Sequence, residues 1–346
     1  MTARIRLYTE KDRERWDGFV NASDSSACYH LAGWKNVMEK SFGHRTYYLL
    51  AEDNGDTIKG ILPLVQIKSV LFGNFMVSLP YFNYGGICAE SDEIGGSLLE
   101  EAVSIGRRQG VEHLELRHTR RMDGGLQEKT SKVSMTLRLP RRSQELWDGF
   151  PSKLRSQIKK PAKEGMYFRI GGEDELESFY SVFSINMREL GTPVYSIEFF
   201  RNILREFPER TSICTVYARD GRAAASGFLV GFKSTIEIPW ASSISSYNRH
   251  SPNMLLYWSV LQFACEKGYR FFDFGRSTQG EGTYRFKQQW GAEPVQLYWH
   301  YWLKNGGTMP GLNPHNPKYR TAINIWKRLP LSLTRLIGPM IVKNLP

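Results

Sequence analysis

Two periods of hydrophobic positions alternate along this chain, and each change of period marks a new element. From Ser251 the apolar residues Met254, Leu255, Trp258, Leu261 and Cys265 recur at helical spacing, which predicts a helix with one largely apolar face. Ser251 stands where an N-cap belongs, Pro252 occupies the first helical position, and Gly268 supplies the stop. The run Arg270 to Phe274 (RFFDF) is short, aromatic and bounded by glycine, so it reads as a core strand. A Gly-rich loop, Gly275 to Gly282, follows, and then a second helical turn, YRFKQQW. In that turn Tyr284 and Lys287 share one face, while Phe286 and Trp290 share another that points inward.

The remaining pattern supplies the other elements. In the first half it predicts a strand at Ile5 to Tyr8, charged and apolar helical runs to Lys40, and a hairpin. The hairpin pairs Arg45 to Glu52 with Ile58 to Ile67 about Asn54-Gly55. A helix from about Glu93 to Arg108, the stop Gly110 and the strand Val111 to Arg117 follow. The second half repeats the order: helices at Glu173 to Leu190 and Ile197 to Glu206, then a hairpin of Ser212 to Arg219 with Ala224 to Phe232. Next come the strand Thr235 to Ala241 and the helix, stop and strand already described.

The halves align by subtraction. Gly110 and Glu115 recur 158 positions later as Gly268 and Asp273, and Ala51 and Gly60 recur 167 positions later as Ala218 and Gly227. Two offset pairs in the same order indicate a duplicated α/β unit. Each unit has the element order of the GNAT acyltransferase fold, so the expectation is an α+β protein of two tandem GNAT-like units with a cleft between them. The expected boundaries are 1–145, 146–303 with the FDFGRS and FK segments, and a tail, 304–346, that docks on the first unit or on a membrane surface. Lys304 to Pro317 reads as a loop, and two amphipathic helices follow it.

Composition narrows the partners. Of 346 residues 41% are hydrophobic and 13% aromatic, enough for sizeable cores. The net charge of +11 favours anionic partners. Cys28, Cys88, Cys214 and Cys265 lie far apart, so no zinc spacing or disulfide framework is present, and seven histidines form no metal motif. The first residues carry no apolar leader and no run spans a bilayer, which gives the expectation of a cytoplasmic protein, membrane-peripheral at most.

The chemistry is harder to place. Asp273 inside an aromatic strand needs a partner, as base or as a brace for Arg276 and the loop. The loop is neither GxxxxGK followed by Ser or Thr nor GxGxxG. GNAT enzymes seat the acyl-CoA pyrophosphate on a turn of the form Gln/Arg-x-x-Gly-x-Gly/Ala. Here the corresponding positions read Cys88-Ala89-Glu90-Ser91-Asp92 and Tyr247-Asn248-Arg249-His250-Ser251. The first is acidic and the second lacks glycines, which argues against CoA as donor.

The segment from Ser251 to Trp299, together with LPYFNYGGI, KLRSQIKKPAKEGM and MRELGTPVYS, resembles FemAB-type proteins, in particular the branch associated with PEP-CTERM/exosortase polysaccharide systems. The resemblance spans roughly residues 5 to 303. It implies tandem GNAT-like units and transfer of an aminoacyl group from aminoacyl-tRNA to an amine of a peptidoglycan or exopolysaccharide precursor. It also implies no resident cofactor. By resemblance, Lys287 stands near the reacting groups, Arg188 where the acceptor's diphosphate is held, and Trp34 with Lys35 or Lys40 on an acceptor-side patch. Asn83, Tyr84, Tyr247, Arg249, Asn253, Arg276 and Tyr284 are further substrate-side candidates, with Asp273 beside Lys287. Lys153, Arg155, Lys159, Lys160 and Lys163 form a basic segment, and tRNA is a possible partner. Two rivals remain: a CoA-dependent N-acyltransferase acting on a sugar, and a non-catalytic scaffold of a polysaccharide system.

Overall fold

A computed structural model describes residues 3–70, 72–122, 125–307, 309–310 and 317–345. Two compact units result. The first comprises Met1–Val133, Val295–Gly311 and Lys343–Pro346, and the second Ser134–Pro294 and Leu312–Val342.

The first unit opens with β1 (Arg4–Leu7), α1 (Arg13–Ala22) and α2 (Gly33–Phe42). Next come β2 (Arg45–Thr46), β3 (Leu49–Glu52), β4 (Ile58–Leu62), β5 (Val65–Ser69), β6 (Gly73–Val77) and β7 (Cys88–Ala89). Then follow α3 (Asp92–Arg108), β8 (His113–His118) and β9 (Gln127–Lys129). The run from Ile58 to Ile67, expected as one strand, is two. Pro63 has no N–H to give a ladder, so β4 pairs with β3 in one sheet and β5 with β6 in another. The four-stranded sheet is ordered β1-β3-β4-β7. Helix α3 starts at Ser91, whose hydroxyl accepts from the Ile94 N–H. Acidic residues fill its first turn and arginines its last, matching the helix dipole. It buries Leu98, Ala102 and Ile105 against Leu49, Leu62 and Leu114.

The second unit begins with β10 (Val133–Arg138), α4 (Ser143–Gly149) and α5 (Ser152–Lys163). It continues through β11 (Tyr167–Gly171), α6 (Leu176–Leu190), α7 (Ile197–Glu206), β12 (Thr211–Tyr217), β13 (Ala223–Phe232) and β14 (Thr235–Ser243). After α8 (Pro252–Glu266) come β15 (Phe271–Ser277), α9 (Gly282–Gln288) and β16 (Glu293–Gln296). Its sheet runs β11-β12-β13-β14-β15-β10-β16. An aromatic cluster of Phe179, Phe199, Phe200, Phe228 and Trp240 welds α6 and α7 to this sheet. The last elements are β17 (Tyr298–Leu303), α10 (Pro317–Arg328) and α11 (Leu331–Val342).

Three features differ from the sequence reading. Strand β17 lies in the first unit's six-stranded sheet, ordered β2-β5-β6-β8-β17-β9, although the sequence assigns it to the second. Its alternating Tyr298, His300 and Trp302 against Trp299 and Tyr301 suit a strand buried on both faces, and β8 offers that place. The tail helices pack on α6 of the second unit, where Gly191 and Gly338 leave room for Ile323 and Val194. Ser251 does not cap α8 through its side chain. It sits in the left-handed region at φ 57°, after a 3-10 turn at Ser245–His250. Part of the expected loop 304–317, residue 308 and residues 311–316, lies outside the described residues.

The repeat is visible in three dimensions. Gly110 and Gly268 both adopt left-handed φ just after the long helix of each unit. A Cβ on Gly60 would meet Ile94 and Leu98 of α3, and one on Gly227 would meet Ile238 and Leu256, the latter on α8. Both glycines let the long helix approach its sheet. Each unit has the GNAT-like fold, and the chain carries two in tandem.

Candidate active site

In each unit the strand after the long helix runs parallel to an earlier strand, and the two soon part. In the second unit β14 and β15 are in register only from Thr235–Phe271 to Glu237–Asp273. Beyond that rung both continue unpaired with each other, to Ser243 and Ser277. A bulge in β14 opposite Phe228–Val230, next to Pro239, helps it bend away. The fork exposes backbone groups at the carboxyl ends of two strands, the usual place for a ligand in an open α/β sheet.

Two carboxylates mark the fork. Asp273 and Glu237, adjacent across the last rung, are both buried. Asp273 Oδ1 accepts hydrogen bonds from the Ser134 hydroxyl at 2.6 Å and from the Gly275 N–H at 2.7 Å. These bonds tie Asp273 to β10 and to the start of the Gly275 loop. Ser134 and Glu237 escaped the sequence reading. A carboxylate within an apolar run, as in TIEIPW, was the available signal for Glu237; nothing local marked Ser134.

Lys287 completes the site. Its side chain is buried in α9. Its amine donates to the carbonyls of Gly275 and Arg276, each at 2.9 Å. Burial pushes its pKa down to about 8, against the pull of the Asp273 and Glu237 carboxylates, and Arg276 lowers it further. An amine with three hydrogens keeps one for a ligand after two carbonyl bonds. Phe286 and Trp290 of the same turn pack on Tyr257 of α8, at 5.0 and 6.1 Å between ring centroids, and so fix the lysine's direction. Tyr284 lies half-buried on α9 and Arg276 is exposed.

Other candidates gather at the same end of this sheet. The 3-10 turn Ser245–His250 follows β14. The carboxylate of Glu189, beside Arg188 at the end of α6, accepts from both the N–H and hydroxyl of Ser245. Arg188 Nε is buried with no hydrogen-bond partner among the described residues. Asn253 in the first turn of α8 donates to Ser243 Oγ at 3.0 Å, which ties the helix to the end of β14. Tyr247 and His250 line a concavity of about 430 Å³ with Met166, Arg219 and the carboxylate residues Glu164 and Asp220. Arg249 donates from Nε to His250 Nε2 at 2.7 Å, and its carbonyl accepts from Lys160.

The first unit's fork is built differently. β6 and β8 are parallel only at Met76–Leu114 and Val77–Glu115. Beyond the last rung the Arg117 guanidinium bonds Glu115 Oε1 at 2.6 Å, Tyr301 donates to Glu115 Oε2 at 2.9 Å, and Arg117 lies 4.4 Å over the Trp299 ring. The Ser78 N–H donates to the Glu115 carbonyl and the Gly86 N–H to that of Arg117, so the loop is stitched across the opening. This fork is closed by its own side chains.

One candidate in this unit is corrected. Trp34 is fully buried, its Nε1 donates to the Cys28 carbonyl, and its ring packs on Tyr29 and Phe82; it belongs to the core. Its large apolar surface draws it inward. Lys35 pairs with Glu39 at 3.0 Å, one helical turn on, and with Glu10 at 3.7 Å. Asn83 and Tyr84 sit half-buried in the loop over the closed fork, with Tyr84 against Leu297, Trp299 and Tyr301.

Comparison with known proteins agrees with the tandem GNAT-like fold. Residues 150–288 match the profile of the acetyltransferase (GNAT) domain family. Over 129 residues the chain is 24% identical to the UDP-N-acetylmuramoylpentapeptide-lysine N(6)-alanyltransferase of Weissella viridescens, covering 37% of this chain and 38% of that protein. Among solved structures, FemX superposes with a TM-score of 0.66 at 14% identity, covering 87% of this chain and 98% of FemX. L-PGS from Bacillus licheniformis gives 0.57 at 13% identity over 96% and 99% of the two chains. The tandem GNAT protein from the clavulanic acid biosynthesis pathway gives 0.57 at 12% identity over 89% and 100%.

Proposed function

We propose that this chain is an acyltransferase of the FemAB type that moves an aminoacyl group from aminoacyl-tRNA to an amine of a cell-envelope precursor, a peptidoglycan or exopolysaccharide intermediate. The observation that carries the reading is the buried Lys287 amine, held by two backbone carbonyls where β14 and β15 part. The alanyltransferase and FemX likenesses support the same class of chemistry.

The reaction asks little of the protein. An aminoacyl ester is already activated. The acceptor amine attacks the ester carbonyl, the tetrahedral intermediate carries an oxyanion, and collapse expels the ribose oxygen, which takes up the proton that the amine loses. A fixed cation at the oxyanion lowers the barrier, and holding the two substrates together supplies much of the rest. Lys287, with two hydrogens anchored, is such a cation below about pH 8. Asp273 and Ser134 keep the Gly275 loop in the shape that receives its amine. Arg188, with its unpartnered Nε, is the candidate for an anionic group on the acceptor.

Donation by acyl-CoA is the second reading, supported by the description of the matching family. Against it stand Glu164 and Asp220 beside Tyr247 and His250, since carboxylates repel a pyrophosphate. Calorimetry with acetyl-CoA and a transfer assay with aminoacyl-tRNA decide the matter. Transfer from aminoacyl-tRNA, lost in Lys287→Met, is expected; tight acetyl-CoA binding with acetyl transfer overturns the proposal. A scaffold role would leave envelope modification unchanged in a folded Lys287→Met strain.

A further inference from the structure

Helix α11 is apolar on two opposite sides. One side packs inward: Thr334, Gly338 and Val342 are buried, and a Cβ on Gly338 would stand 2.9 Å from the Val194 backbone. Arg335 locks the orientation, donating to Ser184 Oγ of α6 at 2.9 Å and lying 5.4 Å over the Tyr180 ring. The opposite side carries Leu333, Leu336 and Met340, spaced as neighbours on one helical face and exposed to 38%, 70% and 63%. A folded helix with both sides apolar has a second apolar environment to meet.

Charge identifies that environment. After Glu293 the chain carries seven Lys and Arg and no Asp or Glu, so this stretch supplies seven of the net +11. Arg320, Lys327 and Arg328 are exposed on the preceding α10. Three side chains fall far short of the roughly 1,200 Å² that a stable protein interface buries, which argues against a second copy as occupant. A 12-residue helix is about 18 Å long, too short to cross a bilayer and suited to lie in its interface. Among the described residues no helix is long and apolar enough to cross a membrane.

We propose that the outer face of α11 docks on an anionic lipid bilayer, with Leu333, Leu336 and Met340 entering the headgroup boundary. The docking stands apart from the transfer reaction. Its consequence rests on the function proposed above: α11 and α10 lie against α6 and the Gly191 to Val194 segment, so the region around Arg188 would be presented to a lipid-carried acceptor.

Sedimentation with vesicles tests the docking. The chain is expected to bind phosphatidylcholine vesicles containing about one third phosphatidylglycerol, to bind pure phosphatidylcholine weakly, and to lose affinity as salt rises. Leu336→Asp and the double variant Leu333→Ser, Leu336→Ser each weaken binding about tenfold or more while circular dichroism stays unchanged. Lys287→Met binds vesicles like the parent, which separates this proposal from the one about catalysis. Absence of binding to the anionic vesicles, or binding indifferent to both leucine variants, overturns it. So does light scattering that finds a dimer dispersed by Leu336→Asp without any vesicle effect.

Discussion

The Glu237 and Asp273 carboxylates lie on neighbouring strands at the last rung that β14 and β15 share, and the Lys287 amine is buried within their field. Two acids and one cation thus sit at the point where the sheet opens. The first unit has a single acid, Glu115, at the equivalent rung and gives it an internal arginine. The duplication therefore keeps a carboxylate at both forks and leaves a lysine amine at one of them.

Replacing Lys287 by Met removes the cation while keeping a long apolar stem. Transfer is expected to fall about a hundredfold to a thousandfold, as for loss of one oxyanion donor. Lys287→Arg keeps the charge but cannot place one amine on both carbonyls, so recovery is partial. Turnover measured with saturating acceptor, alongside thermal unfolding to verify folding, checks this. A Met variant that retains full turnover excludes the role.

The same lysine gives two pH dependences. Burial lowers its pKa to about 8 in the folded chain, against an ordinary 10.5 when unfolded. The unfolded chain thus binds more protons between those values, and stability rises with pH across that window. The rise is of the order of 3 kcal/mol in full. Denaturant unfolding at pH 7.5 and pH 10 should display it in the parent relative to Lys287→Met, where this contribution vanishes. Activity runs the other way. The ammonium disappears above about pH 8, so kcat/KM falls there, whereas a base at this position would make it rise.

The hydrogen bonds that Asp273 accepts predict a bracing role. Ser134→Ala removes one of them and should cost about 1–3 kcal/mol, with a moderate loss of turnover as the Gly275 loop loosens. Asp273→Asn should lower stability and retain measurable turnover. An Asn variant that is fully stable yet inactive by three or more powers of ten would assign Asp273 as the base.

Much of this was legible from spacing. The offset of 158 paired Glu115 with Asp273, and the structure places both at the last parallel rung. Glycine stops and aromatic runs are local signals, and Gly110, Gly268 and β15 were found through them. What escaped depends on distant partners. Trp34 beside Lys35 looks the same in sequence whether it faces substrate or Phe82. Strand β17 carries no mark of which sheet will receive it, because its register is set by β8 and β9. Ser134 became part of the site only because β10 enters the second sheet beside β15.

The closed fork of the first unit makes the last prediction. Arg117 and Glu115 are buried together, with Tyr301, Trp299 and the Phe82 carbonyl among their neighbours. Breaking such a pair leaves an uncompensated charge, so Arg117→Met should destabilise by about 3–5 kcal/mol, and Glu115→Gln by less because it keeps the shape and one acceptor. Replacing both at once, Arg117→Met with Glu115→Leu, should recover part of the loss, since no lone charge remains. If this fork is structural only, turnover and KM per folded molecule stay at the parent value in Glu115→Gln at a temperature well below its unfolding. A raised KM for the acceptor with unchanged stability would instead place substrate at the first fork, and would assign Asn83 and Tyr84, in the loop above it, as binding residues.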